Sequence, residues 1–327
     1  MKYRPFKDVS IAEVGLGTWQ LGSADWGVID ENEALHILHA YVAAGGNFID
    51  TADVYGMGVS ETIIGKFLKQ VNKELFVATK LGRRGDGHNG WPQNFSYDSL
   101  KQHVTDSLRH LGVEQLFLEQ LHCIPTDTMR SGEVFDHLRR LQQEGLIRYF
   151  GASVETSEEA LLCLEQEGLA SLQIIFNLFR QHVADDVFAK AKEKKVALIV
   201  RVPLASGLLS GRFTTATVFD PKDHRNYNAN GDAFNAGETF SGIDFKEGVR
   251  FANDIKSLLP DERMASWAIR WILDHDAVTT VIPGASKVSQ VESNIAASDM
   301  HPLSSAIHTK LRALYDEQIH PKIRGHY

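Results

Sequence analysis

Cysteine is scarce in this sequence. The 327 residues include two, Cys123 and Cys163, too few for a disulfide framework. Long apolar runs are also missing. No window approaches the roughly 18 apolar residues that a membrane span needs. The richest, residues 197–209, is broken by Arg201, Pro203, Ser206 and Gly207. The opening MKYRPFKD lacks the apolar centre of a secretory leader. Positive charge is not in excess: 34 Lys and Arg stand against 42 Asp and Glu, a net charge of −8. Nucleic-acid binding needs clustered Lys and Arg, and the basic clusters here, Arg83-Arg84 and residues 192–195, are short. These absences argue against a disulfide scaffold, a membrane protein and a nucleic-acid binder. The expectation is a soluble, reduced, cytoplasmic protein acting on a small molecule.

What the chain does have is alternation. Eight short runs, mostly apolar, occur at residues 12–17, 47–50, 75–80, 116–122, 149–152, 171–177, 197–203 and 279–283. Strands buried on both faces read this way. Helix-like stretches at 31–44, 97–111, 133–144, 157–166, 184–194, 250–259, 262–274 and 288–297 lie among them. Leu100, Val104, Leu108 and Leu111 follow helical spacing. Alternation of this kind predicts right-handed parallel β-α units, and eight of them close into a (β/α)8 TIM barrel. The prediction is one α/β barrel domain over 1–327. It carries a long irregular active-site loop at 204–246, rich in Gly, Asn and Pro, and a tail at 302–327. Loops of that length are usually functional, and loop and tail are expected to complete the pocket.

Barrel active sites lie where strands end. The second run ends at Asp50, with Tyr55 five residues on; the third ends at Lys80 and the fourth at His122. Singly, each has a bland reading: a cap, a rim aromatic, an exposed lysine, a core histidine. Together at successive strand ends they form one constellation. A buried lysine is costly unless paired, and Asp50 is the obvious partner. A charged Lys80 beside Tyr55 is expected to pull the phenol down from about 10, making it a proton donor near neutral pH. No metal site is expected: His36 and His39 share a helix face without a third ligand.

The run GGNFIDTADVYG at 45–56 resembles the signature of the aldo-keto reductase superfamily. VATK at 77–80 and Leu121-His122 fit its next motifs. GLGTW at 15–19, Gly151-Ala152-Ser153, Pro203-Leu204, GLLSG at 207–211 and IPGA at 282–285 continue the likeness over nearly the whole chain. The closest flavour is that of bacterial NADPH-dependent reductases, with a more distant likeness to potassium-channel β subunits. The resemblance implies a barrel and an NADP(H)-dependent oxidoreductase that reduces an aldehyde or ketone. Tyr55 would be the general acid, Asp50 and Lys80 its tuning pair, and His122 the group orienting the carbonyl.

The family carries no Rossmann fold. The one GxGxxG, at Gly85, Gly87 and Gly90, runs into Trp91-Pro92 and opens no helix. The resemblance instead implies a cofactor set of Thr18, Trp19 and Asp50, with Ser153 and Gln173 on the carboxamide. Pro203, Leu204, Ser206 and Gly207 would loop over the pyrophosphate, with Arg212 beside them. Gly284, Ser286, Gln290 and Asn294 would hold the adenosine end. Lys287 and Arg225 are cations for a 2′-phosphate, favouring NADP(H). Three positions depart from the family pattern: Val154 for the usual Asn or Arg, Arg201 where an aromatic usually stacks on the nicotinamide, and Ser293 for the usual acid. Arg201 is expected to disfavour the cationic oxidised cofactor. Trp19, Trp26 and Trp91, with Tyr55 and His122, are the candidate substrate pocket. Cys123 is expected to point away from it by strand alternation.

Two rivals remain at the level of sequence. One is a nucleotide-sensing partner protein of the channel β-subunit type. The other is a barrel aldolase using Lys80 as a Schiff base, against which the adenosine motif counts.

Overall fold

Eight parallel strands form one sheet in the order β3 to β10: Leu16–Gly17, Phe48–Asp50, Phe76–Leu81, Leu116–His122, Ile147–Ser153, Ser171–Ile175, Ala197–Arg201 and Val278–Val281. This computed structural model describes residues 1–22, 29–85 and 94–326. Val14 bridges Val281 and Gly17 bridges Gly284, both in parallel, so β3 meets β10 and the sheet closes into a barrel. The strands are buried on both faces, as their continuous apolar runs require. Helices surround them, among them Glu31–Ala43, Tyr97–Leu111, Glu133–Gln143, Met264–Leu273 and Val288–Asp299. The helix Tyr97–Leu111 has its expected bounds because both ends are chemically marked. The Ser96 side chain accepts from the Ser99 amide, and Gly112 takes φ 68° at the stop.

Several elements are not in the sequence-derived set. A hairpin of β1 (Tyr3–Phe6) and β2 (Val9–Ala12) precedes the barrel. A helix spans Val59–Leu68, and another, Ser305–Leu314, runs through the tail. The expected strand at 12–17 divides, because Ala12 ends the hairpin while Val14 bridges Val281 and Gly17 bridges Gly284 just beyond the last barrel strand. The expected helix at 184–194 is interrupted, giving Val183–Asp186 and Phe188–Lys194.

The hairpin fixes which end of the barrel is open. Phe6 and Ile11 pack with Phe48, Phe76, Ala197 and Ile199 in one apolar cluster. Phe48, Phe76 and Ala197 begin their strands, so the hairpin stops the N-terminal end. Arg4 ties it there by donating to the carbonyls of Leu273, His275 and Val278. Polar side chains gather at the opposite end, where the strands finish.

Candidate active site

Register brings the strand ends together. Gly17 pairs with Asp50, Asp50 with Ala78, Lys80 with Gln120, His122 with Ser153, and Ser153 with Gln173. Alternate residues then point into the barrel. Asp50 and Lys80, 2% and 1% exposed, form an ion pair of 2.5 Å. Lys80 also donates to the Thr51 carbonyl at 2.7 Å and to the Tyr55 hydroxyl at 3.4 Å. The second Asp50 oxygen accepts from Gln173 at 2.7 Å and Gln120 at 3.3 Å. Buried charges persist when paired and hydrogen-bonded, and this pair is satisfied on both sides. Gln120 is a supporting residue that sequence reading missed, since only register shows its reach to Asp50.

Tyr55 sits in a tight loop. Its amide donates to the Ala52 carbonyl. Gly56 follows at φ 63°, where a Cβ would lie 1.8 Å from the Gly22 carbonyl oxygen, so only glycine fits. The Tyr55 ring stands edge-on to His122 with centroids 5.9 Å apart and stacks on Trp19 at 6.0 Å. All four expected catalytic residues thus meet on one floor.

The electrostatics correct one expectation. Burial pushes the Tyr55 phenol above its ordinary value; Lys80 pulls it down, but Asp50 and Glu238 add to the rise. The buried carboxylates offset the ammonium, so the phenol stays protonated at neutral pH. Burial works against the Lys80 charge, yet Asp50 and Tyr55 hold the amine above its ordinary value. His122 is pushed well below its ordinary value by burial, then by Arg83, Lys80 and Arg201. A neutral phenol, a charged amine and a neutral imidazole therefore share the floor.

A cleft of about 630 Å³ opens above them. Its lining holds Thr18, Trp19, Asp50, Ser153, Gln173, Arg201, Pro203, Leu204, Ser206, Gly207, Arg212, Arg225, Gly284, Ser286, Lys287, Gln290 and Asn294, all of the expected cofactor set. Of the expected substrate pocket, Trp19, Tyr55 and His122 line it too. Trp26 and Trp91 lie outside the described residues. The long loop contributes Phe213, Phe234 and Glu238 as well, which sequence reading did not single out. The tail does not: no described residue beyond Asn294 lines the cleft. It supports the loop from outside instead.

Several side chains are already engaged. Arg201 pairs with Glu238 and donates to the Val154 carbonyl at 3.0 Å. The charge expected to repel an oxidised nicotinamide is thereby compensated. Arg225 pairs with Asp223 and lies over the Phe219 ring at 4.6 Å, so it is less open to a phosphate than sequence suggests. Gln290 accepts from the amide and hydroxyl of Ser286, and Asn294 donates to the Gly284 carbonyl at 3.3 Å. Ser293 meets Ser266. Lys287 is exposed, just before the helix Val288–Asp299, and has no ion pair among the described residues. Cys123 is not among the residues lining the cleft; it follows the strand end at His122 with φ 49°, and its sulfur lies 3.6 Å from Arg201.

Comparisons with known proteins point to one family. The sequence model of the Aldo/keto reductase family matches residues 13–316. An uncharacterized oxidoreductase of Bacillus subtilis is 29% identical over 298 residues, covering 91% of this chain and 90% of its own. An NADH-specific methylglyoxal reductase of Escherichia coli is 28% identical, with 94% and 95% covered. Among solved structures, the glycerol dehydrogenase of Gluconobacter oxydans superposes with a TM-score of 0.80 at 28% identity, over 97% of this chain and 96% of that one.

Proposed function

The chain belongs to the aldo/keto reductase family, oxidoreductases that act on carbonyl compounds with a nicotinamide cofactor, and from that premise we propose that it reduces an aldehyde or ketone to the alcohol with NADPH, Tyr55 giving the proton. The observation carrying this reading is the arrangement of a protonated Tyr55, its Lys80–Asp50 support and a neutral His122 on the floor of one cleft.

The residues present fit such a cofactor. Gln173 spends its amine on Asp50, leaving its carbonyl oxygen for a carboxamide amine beside Ser153. Gln290 spends its carbonyl on Ser286, leaving its amine for the adenosine end with Asn294. Backbone at Val202, Ala205, Ser206 and Gly207 takes positive φ, a conformation that can turn successive amides toward anionic oxygens. Lys287 and Arg212 are exposed cations on that rim, suited to the phosphates and to a 2′-phosphate. The bound nicotinamide, when reduced, supplies the hydride to the carbonyl carbon. The chain supplies the rest. Tyr55 and His122 hold the carbonyl oxygen between them, His122 as a neutral hydrogen-bond partner. Tyr55 passes its proton to that oxygen as negative charge develops. Lys80, fixed by Asp50 and the Thr51 carbonyl, stabilises the phenolate left behind until water restores its proton.

The rivals fare less well. A Schiff-base lysine must be a neutral amine, whereas Asp50 and Tyr55 hold Lys80 charged. The sensor reading finds no observation in its favour.

The test follows reduced-nicotinamide absorbance with an activated aldehyde, NADPH and NADH in parallel, in the wild type and Tyr55→Phe. The variant should lose about 10²–10⁴-fold in kcat while binding NADPH with unchanged affinity by fluorescence titration. Full turnover in Tyr55→Phe would sink the mechanism. Equal efficiency with NADH would sink the cofactor preference and leave the reductase standing.

A further inference from the structure

Cations surround the inner half of this cleft, and among the described residues all but one have a carboxylate partner. Lys80 has Asp50, Arg201 has Glu238, and Arg225 has Asp223. Arg84, one residue further along the same loop, is held by Asp53 and Asp106. Arg83 is the exception. It follows β5 by two residues, lines the cleft and is half-buried, yet it has no ion pair or hydrogen bond among the described residues. Its guanidinium carbon lies 5.9 Å from the Phe234 ring, which itself sits 6.1 Å from Trp19. Its charge reaches the floor, being the strongest charged influence on His122. Glu155 also feels Arg83, but burial raises that carboxyl, Asn235 donates to it, and it does not line the cleft.

Arg83 also stands apart from the rim assigned to cofactor phosphates. That rim is built from the loop after β9 and the segment after β10, whereas Arg83 extends from β5. Trp19, Val54 and Phe234 line the same cleft and suit a short hydrocarbon chain. An uncompensated guanidinium in a partly dry site favours an anion and binds it bidentately. We propose that the substrate is a short carbonyl compound carrying an anionic group, carboxylate or phosphate, at its far end, which Arg83 binds while the carbonyl rests on Tyr55 and His122. This rests on the reductase reading and narrows it.

The test compares matched pairs at saturating NADPH: 4-oxobutanoate against its methyl ester, and glyceraldehyde 3-phosphate against glyceraldehyde. At least one anion should exceed its neutral partner in kcat/KM by about tenfold to hundredfold, the range of a charge-assisted hydrogen bond, mostly through KM. Which pair shows the advantage separates carboxylate from phosphate. Arg83→Gln should erase it and Arg83→Lys keep part of it. In the wild type it should shrink as salt rises, a readout that needs no variant. Neutral partners turned over as well as the anions in both pairs would overturn the proposal with the reductase intact, as would an advantage that survives Arg83→Gln. No reduced-nicotinamide oxidation with any of the four compounds would remove the reductase reading and this proposal together.

Discussion

At the scale of single residues, the floor of the cleft is a set of protonation states chosen by burial. Burial raises Tyr55, lowers His122, and would neutralise Lys80 were Asp50 not against it. The consequence is a pH profile with a defined shape. A phenol whose value lies above its ordinary 10.0 stays protonated throughout the neutral range, and an imidazole well below 6.5 stays neutral there. The kcat/KM for reduction should therefore be flat from about pH 7 to about pH 9, with its alkaline limb above the ordinary tyrosine value of about 10. A limb near neutrality would mean that Lys80 lowers the phenol after all, as the sequence alone leads one to expect. These residues were legible because Asp50, Lys80 and His122 each end a strand-like run and Tyr55 follows the first of them by five residues. Their titration was not, because it depends on Glu238, Arg83 and Arg201, which the fold brings in from distant positions. Arg83 was invisible for the same reason: in the sequence it is half of an Arg-Arg pair, and only the fold shows that Arg84 alone is spent on carboxylates.

At the scale of elements, the outer face of β5 and β6 carries an acidic seam toward the helices. Thr79 donates to Glu61 at 2.6 Å, and His110 meets the other Glu61 oxygen at 3.0 Å. Arg84 holds Asp53, which burial still pushes up to about 6. Glu119, fully buried beside Thr79 in register, has no side-chain hydrogen-bond partner among the described residues. Burial, Asp53 and Glu61 together lift it well above its ordinary 4.5. An acid raised in the folded state favours folding below its unfolded value and loses that contribution as pH rises through the folded one. Glu119→Gln removes the titration, so its stability relative to wild type should grow in urea unfolding as pH rises above the ordinary value of about 4.5. A constant difference would show that Glu119 is ionised throughout. The seam was unreadable in sequence because Glu119 stands beside Gln120 in a mostly apolar strand without a motif. The barrel strands themselves were legible from their two-sided burial. The N-terminal hairpin was not: its strands are four residues each, and Pro5 sits inside the first. The helix Val59–Leu68 was hidden behind Gly56 and Gly58, which read as loop.

At the scale of the whole molecule, the cofactor side of the cleft is held by chain that never touches it. The loop at 204–246 supplies much of the lining, and its far side is clasped by the tail. Arg324 donates to the carbonyls of Gly242 and Ala229 and to Asn230, while its own amide donates to Gly242. Gly242 takes φ 82°, and a Cβ there would lie 2.5 Å from the Arg324 carbonyl, so the approach needs glycine. On the inner side Ser206 accepts from the Phe240 amide and donates to the Glu238 carbonyl, and Glu238 closes on Arg201. Removing the clasp should let the loop sample open states, and apparent affinity falls by the fraction of molecules left competent. Arg324→Ala is therefore expected to raise the cofactor Kd about threefold to tenfold and to speed proteolytic cleavage within 204–246, with both effects suppressed at saturating cofactor because the ligand selects the closed loop. Unchanged affinity together with faster cleavage would show that the clasp stabilises the loop without shaping the site.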